Sequence, residues 1–388
     1  MKPRLLLVGR TRYRLPLDTG LQRKFDALCT RLEVRVLAGA AGESVEDPRF
    51  RLVRRVRPRA LDGFAFHSSL PLRVARELRS FRPDVVLVQG AHEAWAVLVA
   101  RALAHSRARV VLDVHGDWRL VTRLYGSSAR RVLSGVADAF AAAAVRRVDG
   151  VRTVSEFTSS LVREAGGNSA GTFPAFMDLE PFLSRPPVPL PECPAALFVG
   201  VLERYKDIDG LARAWRLAAS QVPEAELRIV GTGSRRRVVE RLLRDLPGQT
   251  RWLPELSGPE VASELDRATC LVLPSPREGM GRVVVEALAR GRPVIGMNAG
   301  GVPELVRHDA NGLLVDVDDP GALADALVRV LSDGALAARL AAAARPSVAR
   351  FAITPEQYAD SLLELVNATL SHPTPEAAPS ALLPAGSK

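Results

Sequence analysis

Residue patterning points to an α/β protein made of two doubly wound parallel-sheet (Rossmann-like) domains facing across a cleft. Short apolar runs alternate with amphipathic stretches along most of the chain, and the connections between them are short. One proline-rich segment, residues 182–194 (FLSRPPVPLPECP), interrupts the alternation near the middle, where neither a helical nor a strand pattern survives. The expected organisation is a domain over residues 1–185, a second over 186–354, a helix over 355–370 that packs back on the first domain, and a disordered Pro/Ala/Ser-rich tail over 371–388.

In order, residues 4–8 (RLLLV) read as a buried strand, and 9–18 as a loop rich in arginine (Arg10, Arg12, Arg14). Asp18 can cap a helix over 19–31, whose Leu21, Phe25 and Leu28 share a face. A strand over 33–38 follows. Residues 49–59 (RFRLVRRVRPR) alternate apolar and basic, so one face could pack while the other stays positive. Helices are expected over 72–81, 91–105, 128–147 and 155–164, with strands at 85–88, 110–114 and 150–154. Beyond the proline segment, strands are expected at 196–199, 226–230, 250–253, 270–273 and 294–297. Helices at 209–219, 234–246, 258–267 and 281–290 lie among them, followed by 320–331, 335–344 and 355–370. No Gly-x-Gly-x-x-Gly follows the first strand, which argues against an ordinary dinucleotide site.

Bulk properties narrow the function. At 388 residues, 47% apolar and 25% charged, the chain is globular. Its three cysteines (Cys29, Cys193, Cys270) are far apart with no Cys-x-x-Cys, which fits a reducing compartment and neither a disulfide set nor a zinc site. The start MKPRLLLVGR is too short in its apolar core for a signal peptide, and no apolar run is long enough to span a bilayer. A cytoplasmic protein is expected. Charge is uneven: residues 1–185 hold 31 Lys/Arg against 18 Asp/Glu, whereas 186–388 hold 22 against 25. The basic half carries no recognised nucleic-acid motif and few aromatics among its arginines, so nucleic acid is excluded. Anionic lipid headgroups at the inner membrane face, or an acidic acceptor, both remain open as its partner.

Chemistry concentrates in residues 273–301, LPSPREGMGRVVVEALARGRPVIGMNAGG. Strand, glycine-bracketed turn and helix follow in sequence, and a helix mouth preceded by small residues favours anions. Glu278 lies in the turn and Glu286 about two turns down the helix. Such acids suit the hydroxyls of a sugar attached to a bound phosphate better than the phosphate itself.

Taken as a series, FVGVLERYK, LRIVGTG, LPSPREGMGRVVVEALARGRPVIG, GGVPELV and NGLLV resemble, in order and spacing, the retaining glycosyltransferases of family 4 (glycosyl transferases group 1). VVLDVHGDWR, VRTVSEFTSSLV and FPAFMDLEPF match the first half of that family more loosely. The resemblance implies the GT-B fold and transfer of a hexose from a UDP- or GDP-linked donor to a glycan, lipid-linked or small-molecule hydroxyl. It also implies front-side displacement with no metal or other cofactor. Lys206 would sit at the phosphates, Glu278 at the sugar, Glu286 at the ribose, and His115 on the opposite wall near sugar and acceptor. Arg204, Gly231, Gly233, Gly279, Met280, Gly281 and Arg282 would complete the donor side, with Gly20 and Asp117 on the acceptor side. Two departures stand out. Val201 occupies the family's second phosphate-binding arginine position, and Asp207 the place of a common glycine. Either Arg204 replaces the missing arginine or the donor is held more weakly. The alternative is a catalytically impaired relative that binds a nucleotide or a partner. Asp207/Asp209 and Asp316/Asp318 resemble metal-binding Asp-x-Asp pairs, but their positions fit caps and turns better. An epimerase or phosphorylase would need an acid cluster or a lysine suited to pyridoxal phosphate, and neither is evident.

Overall fold

The computed structural model describes residues 1–42, 45–56, 59–119, 134–317 and 319–371, and the backbone alone for 59–61 and 134. The expected tail, the first part of the helix expected at 128–147, and Asp318 lie outside the described residues.

The first sheet contains β1 (Arg4–Tyr13), β2 (Glu33–Ala40), β3 (Phe50–Val53), β4 (Val85–Gln89), β5 (Arg109–Val114), β6 (Gly150–Thr153) and β7 (Ser169–Thr172). Its order is β3-β2-β1-β4-β5-β6-β7. The second contains β8 (Ala195–Val199), β9 (Glu226–Val230), β10 (Thr250–Leu253), β11 (Cys270–Leu273), β12 (Val294–Met297) and β13 (Gly312–Val315), in the order β10-β9-β8-β11-β12-β13. Neighbouring strands are parallel throughout. The helices ahead of the proline-rich segment are α1 (Thr19–Arg31), α2 (Arg59–Ser80), α3 (Ala91–Leu103), α4 (Ser134–Arg147), α5 (Glu156–Glu164) and α6 (Glu180–Leu183), the last of which packs its Phe182 into the second domain's core. Those that follow are α7 (Ile208–Ala219), α8 (Arg236–Asp245), α9 (Gly258–Asp266), α10 (Arg282–Ala289), α11 (Pro320–Ser332), α12 (Gly334–Ser347) and α13 (Pro355–Ser371). Each sheet therefore reverses its winding once, between β1 and β4 and between β8 and β11. Parallel sheets of this kind open a ligand crevice at the carboxyl edge of such a reversal.

Most expected elements stand, with instructive differences. Residues 9–13 are strand, not loop: after a register shift between Val8 and Arg12, Arg12 pairs with Gly39 and Tyr13 with Ala40. The basic pattern hid an edge-directed extension whose Arg12 is ion-paired with Asp62. Helix α2 starts at 59 and not 72, running through Pro71. Proline there reads as a helix start, yet Phe66, Leu70, Val74 and Leu78 form one buried stripe that keeps the helix continuous. The four-residue strands β7 and β13 and the short α6 had no apolar run long enough to announce them.

Residues 184–194 have no regular structure, but they are not loose. Proline-rich chain has carbonyl acceptors and few N–H donors, so its polar groups must find donors elsewhere. Arg292 donates to Val188 O (3.0 Å) and Pro189 O (3.2 Å), Arg290 to Phe182 O and Arg185 O, and Arg345 to Leu183 O and Arg185 O. Arg290 and Arg292 are themselves buried.

Helix α13 returns to the first sheet, where Tyr358, Leu362 and Val366 join the core beside Phe25 and Leu28, and Arg31 pairs with Asp360 at 2.6 Å. Here Lys24 is half-buried, and its ammonium faces the rings of Tyr358 (5.3 Å), Phe25 (5.4 Å) and Phe176 (6.0 Å). Burial pushes its pKa down to about 8, partly countered by Asp113. An unfolded lysine titrates near ~10.4. The folded chain therefore binds fewer protons between pH 8 and that value, and stability should rise with pH across the window. Lys24→Met should abolish that rise and stabilise the protein at neutral pH. Urea midpoints at neutral pH and above the window would show it, and an unchanged pH profile would refute it.

Candidate active site

After β8 the chain turns through a short 3-10 segment, Arg204–Lys206, ending at Asp207 in the left-handed region (φ 49°). Asp207 then caps α7 by accepting from Gly210 N at 3.0 Å. This turn drives Lys206 inward, and its ammonium donates to Glu278 Oε2 at 2.6 Å. Glu278 lies on the loop leaving β11, so the pair spans the β8/β11 reversal. The two side chains are only 11% and 18% exposed, which strengthens their attraction and makes loss of either partner costly.

Beyond Glu278, Gly281 takes φ 72° as the residue before α10, with no side chain capping the helix mouth. The unpaired N–H groups of its first turn therefore stay available to an anion. Met280 is buried beneath this loop. Glu286 lies within α10, mostly enclosed, and Arg282 Nη2 stands 3.8 Å away. Burial raises the Glu286 carboxyl above its usual range, and Arg282 counters part of the rise. Gly231 and Gly233, expected to give a ligand close access, are close to protein. A Cβ on Gly231 would overlap the Gly200 carbonyl, and one on Gly233 the Leu202 backbone. Glu203, which the sequence reading did not single out, fastens the same loop by accepting from Ser234 N (3.0 Å) and Ser234 Oγ (2.6 Å). Val201 is exposed, and so is Arg204, whose guanidinium makes no ion pair within 4 Å among the described residues.

The opposite wall is built from β5 and β6. His115 sits just past β5, partly exposed, and its Nε2 is 2.8 Å from Asp113 Oδ2. The other Asp113 oxygen accepts from Arg152 Nη1 at 2.7 Å, and Asp113 and Arg152 are register partners across the sheet. Arg152 is fully buried and donates also to Phe173 O and Pro174 O, with its guanidinium 4.2 Å from the Phe173 ring centroid. Burial alone would raise the Asp113 carboxyl. The charges of His115 and Arg152 outweigh it and hold the group well below the carboxylate range. Spacing could have exposed Asp113, since residues two apart on a strand share a face. Arg152 required the strand register.

Both walls meet through backbone. A Cβ on Gly279 would overlap the His115 carbonyl oxygen, and Ser155 Oγ donates to Gly279 O at 2.7 Å. Glu304 accepts from Glu156 N (3.0 Å) and Phe157 N (2.8 Å), so a carboxylate of the second domain caps α5 of the first. Asp117, expected on the acceptor side, is instead consumed in this contact. Its side chain is fully buried, bonded to Arg119 by one oxygen and to Arg277 Nη1 of the second domain by the other at 3.0 Å. Gly20 likewise makes room for Asp178 and not for open solvent.

Two facing reversed-winding sheets, with charged groups collected at their carboxyl edges, define the GT-B class of nucleotide-sugar-handling folds. Family models agree in both halves: Glycosyltransferase Family 4 matches residues 25–172 and Glycosyl transferases group 1 matches residues 185–346. The chain belongs to the group 1, family 4 GT-B glycosyltransferases. It is 38% identical over 173 residues to a D-inositol 3-phosphate glycosyltransferase of Nocardioides, covering 40% of this chain and 38% of that one. It is 32% identical over 286 residues to glycogen synthase of Mycobacterium tuberculosis, covering 69% and 64%. The chain thus spans less than half of the inositol phosphate enzyme. Sucrose-phosphate synthase of Thermosynechococcus elongatus shares the fold at TM-score 0.75 and 21% identity, covering 94% of this chain and 98% of that one. Anabaena HepE, in complex with UDP and glucose, does so at TM-score 0.66 and 17% identity, covering 94% and 99%.

Because Arg152 neutralises a buried carboxylate and satisfies two carbonyls, Arg152→Ala should cost about 3–5 kcal/mol of unfolding free energy. Denaturant titration measures it, and a loss under about 1 kcal/mol, the range of exposed pairs, would contradict the role given to the pair.

Proposed function

We propose that the protein is a retaining hexosyltransferase that moves a sugar from a nucleotide diphosphate to an acceptor hydroxyl without a metal. The Lys206–Glu278 pair, lying across the β8/β11 reversal in the domain that faces His115, is the observation that carries this reading. In the free protein each group neutralises the other. An arriving diphosphate brings charge that competes for the ammonium, which releases Glu278 to accept hydrogen bonds from sugar hydroxyls. As the bond from the anomeric carbon to the phosphate breaks, charge grows on the leaving oxygen, where Lys206 and the α10 N–H groups face it. The acceptor oxygen bonds to the same face of that carbon, and its proton passes to the departing phosphate. Glu286 would accept from the ribose hydroxyls. The binding of UDP and glucose by HepE, and the sugar-transfer names of the sequence relatives, support a nucleotide-sugar donor and a hydroxylated acceptor.

In this reading the positive charge facing the leaving group comes from Lys206 and the α10 N–H groups. Excess chelator should therefore leave turnover unchanged.

Val201 favours a second reading, in which the site binds nucleotide without turning it over. Lys206→Ala should lower kcat by about 10²–10³-fold, the range for removing one donor to a developing oxyanion. Glu278→Gln should lower turnover and, because it leaves the buried Lys206 ammonium without its countercharge, should also lower the thermal midpoint, so activity is compared at a temperature where circular dichroism shows the variant folded. Both are read as nucleoside diphosphate released from a panel of UDP- and GDP-sugars. A parent chain that binds nucleotide yet releases none from any donor would favour the second reading, and full activity in Glu278→Gln would refute the first.

A further inference from the structure

A cavity of about 510 Å³ opens at the carboxyl edge of β1, β2 and β3, against the N-terminal half of α2. Among the described residues Arg10, Arg12, Arg54 and Arg73 line it, with Asp62 as the one carboxylate. Arg12 is committed to Asp62 and to Ala40 O, and the same carboxylate also accepts from Val56 N at 3.0 Å. Among the described residues Arg73 reaches only the Ser69 hydroxyl, at 3.2 Å. Arg10 and Arg54 make no hydrogen bond or ion pair through their side chains among the described residues. Four guanidiniums against one carboxylate leave a concentrated positive field in a concave, partly apolar space that includes Phe66 and Leu52. Like charges repel, so folding alone does not explain their convergence. A bound anion does, and planar guanidiniums suit the paired oxygens of phosphate.

We infer that this cavity is an acceptor subsite for a phosphate ester, so that the sugar acceptor carries a phosphate away from the hydroxyl that reacts. The inference rests on the transferase reading above. Its geometry is consistent with that reading: β1 lies two strands from β5, which places Arg10 and Arg12 roughly 10 Å along the sheet edge from His115 at ordinary strand spacing. The bridge from Thr11 Oγ1 to Gln89 Oε1 (2.8 Å) closes the edge between them, so an acceptor would lie along a continuous floor. None of these arginines is placed at the donor.

The test is isothermal titration of inorganic phosphate and of glycerol 3-phosphate, done in a Lys206→Ala background to weaken phosphate binding at the donor site. Arg10→Ser/Arg54→Ser should weaken both by about tenfold or more, as expected for lost charge-assisted bonds. With Lys206 restored, the same double variant should keep slow donor hydrolysis and raise KM for phosphorylated acceptors with kcat little changed. Unchanged phosphate affinity in the double variant overturns the subsite, whatever the transferase assay shows. Lost binding to phosphatidylglycerol vesicles with soluble phosphate binding intact overturns it too, in favour of a membrane surface. Phosphate bound through this cavity by a chain that turns over no nucleotide-sugar overturns the transferase reading and leaves the anion site standing.

Discussion

Asp113 is a carboxylate with almost no solvent, and much of the first domain is arranged so that its charge can exist there. Arg152 compensates it from the next strand, His115 from the end of its own. Removing a charge from water costs several kcal/mol unless partners replace the solvent, so these three residues stand or fall together. The consequences spread outward. Arg152 Nη2 donates to Phe173 O and Pro174 O, fixing the segment that leads towards the second domain. His115, held from one side, has a fixed edge towards the cleft, and its carbonyl oxygen packs against Gly279. Local electrostatics in one sheet thereby set the position of the loop that carries Glu278 in the other.

Legibility in the sequence followed how local each signal was. Asp18 before Thr19, the strand Glu226–Val230 and the strand Cys270–Leu273 are written in contiguous residues, and their limits in the structure agree with the reading. The start of α2 was not legible from local preference, because burial of Phe66 and Leu70 carries the helix through Pro71 and back to residue 59. At the site, the Glu278 turn and Lys206 could be singled out from their surroundings, but their ion pair is 72 positions apart in sequence and depends on strand order. The same holds for Asp113 with Arg152, and for Asp117 with Arg277. Charged residues in a motif show that chemistry is concentrated there. Which charge meets which is a property of topology.

Glycine positions teach a related lesson. Bare backbone beside a candidate ligand site invites the assumption that the ligand needs the room. Here Gly231, Gly233 and Gly279 are each pressed against another stretch of main chain, and Gly300 and Gly301 against the Glu278–Gly279 backbone. The loops that frame the crevice are stacked on one another with no space for a Cβ. Rigidity of this kind limits how far Lys206 and Glu278 can drift when they separate, which is what preorganised electrostatic stabilisation requires.

The arginines that hold the proline-rich segment have a mechanical corollary. With its carbonyls bonded to the second domain, that segment travels as part of it, as does α6, whose Phe182 lies in the same core, so flexing must occur ahead of α6. The chain crosses back once more ahead of α13, through residues 352–354. Two anchored crossings act like the two pins of a door: rotation about the line joining them is the soft motion, while twisting and sliding strain one pin or the other. Opening the cleft would then swing Glu304 off α5 and Gly279 off His115 in a single movement, so that access to the crevice and loss of the contacts between the domains are one event.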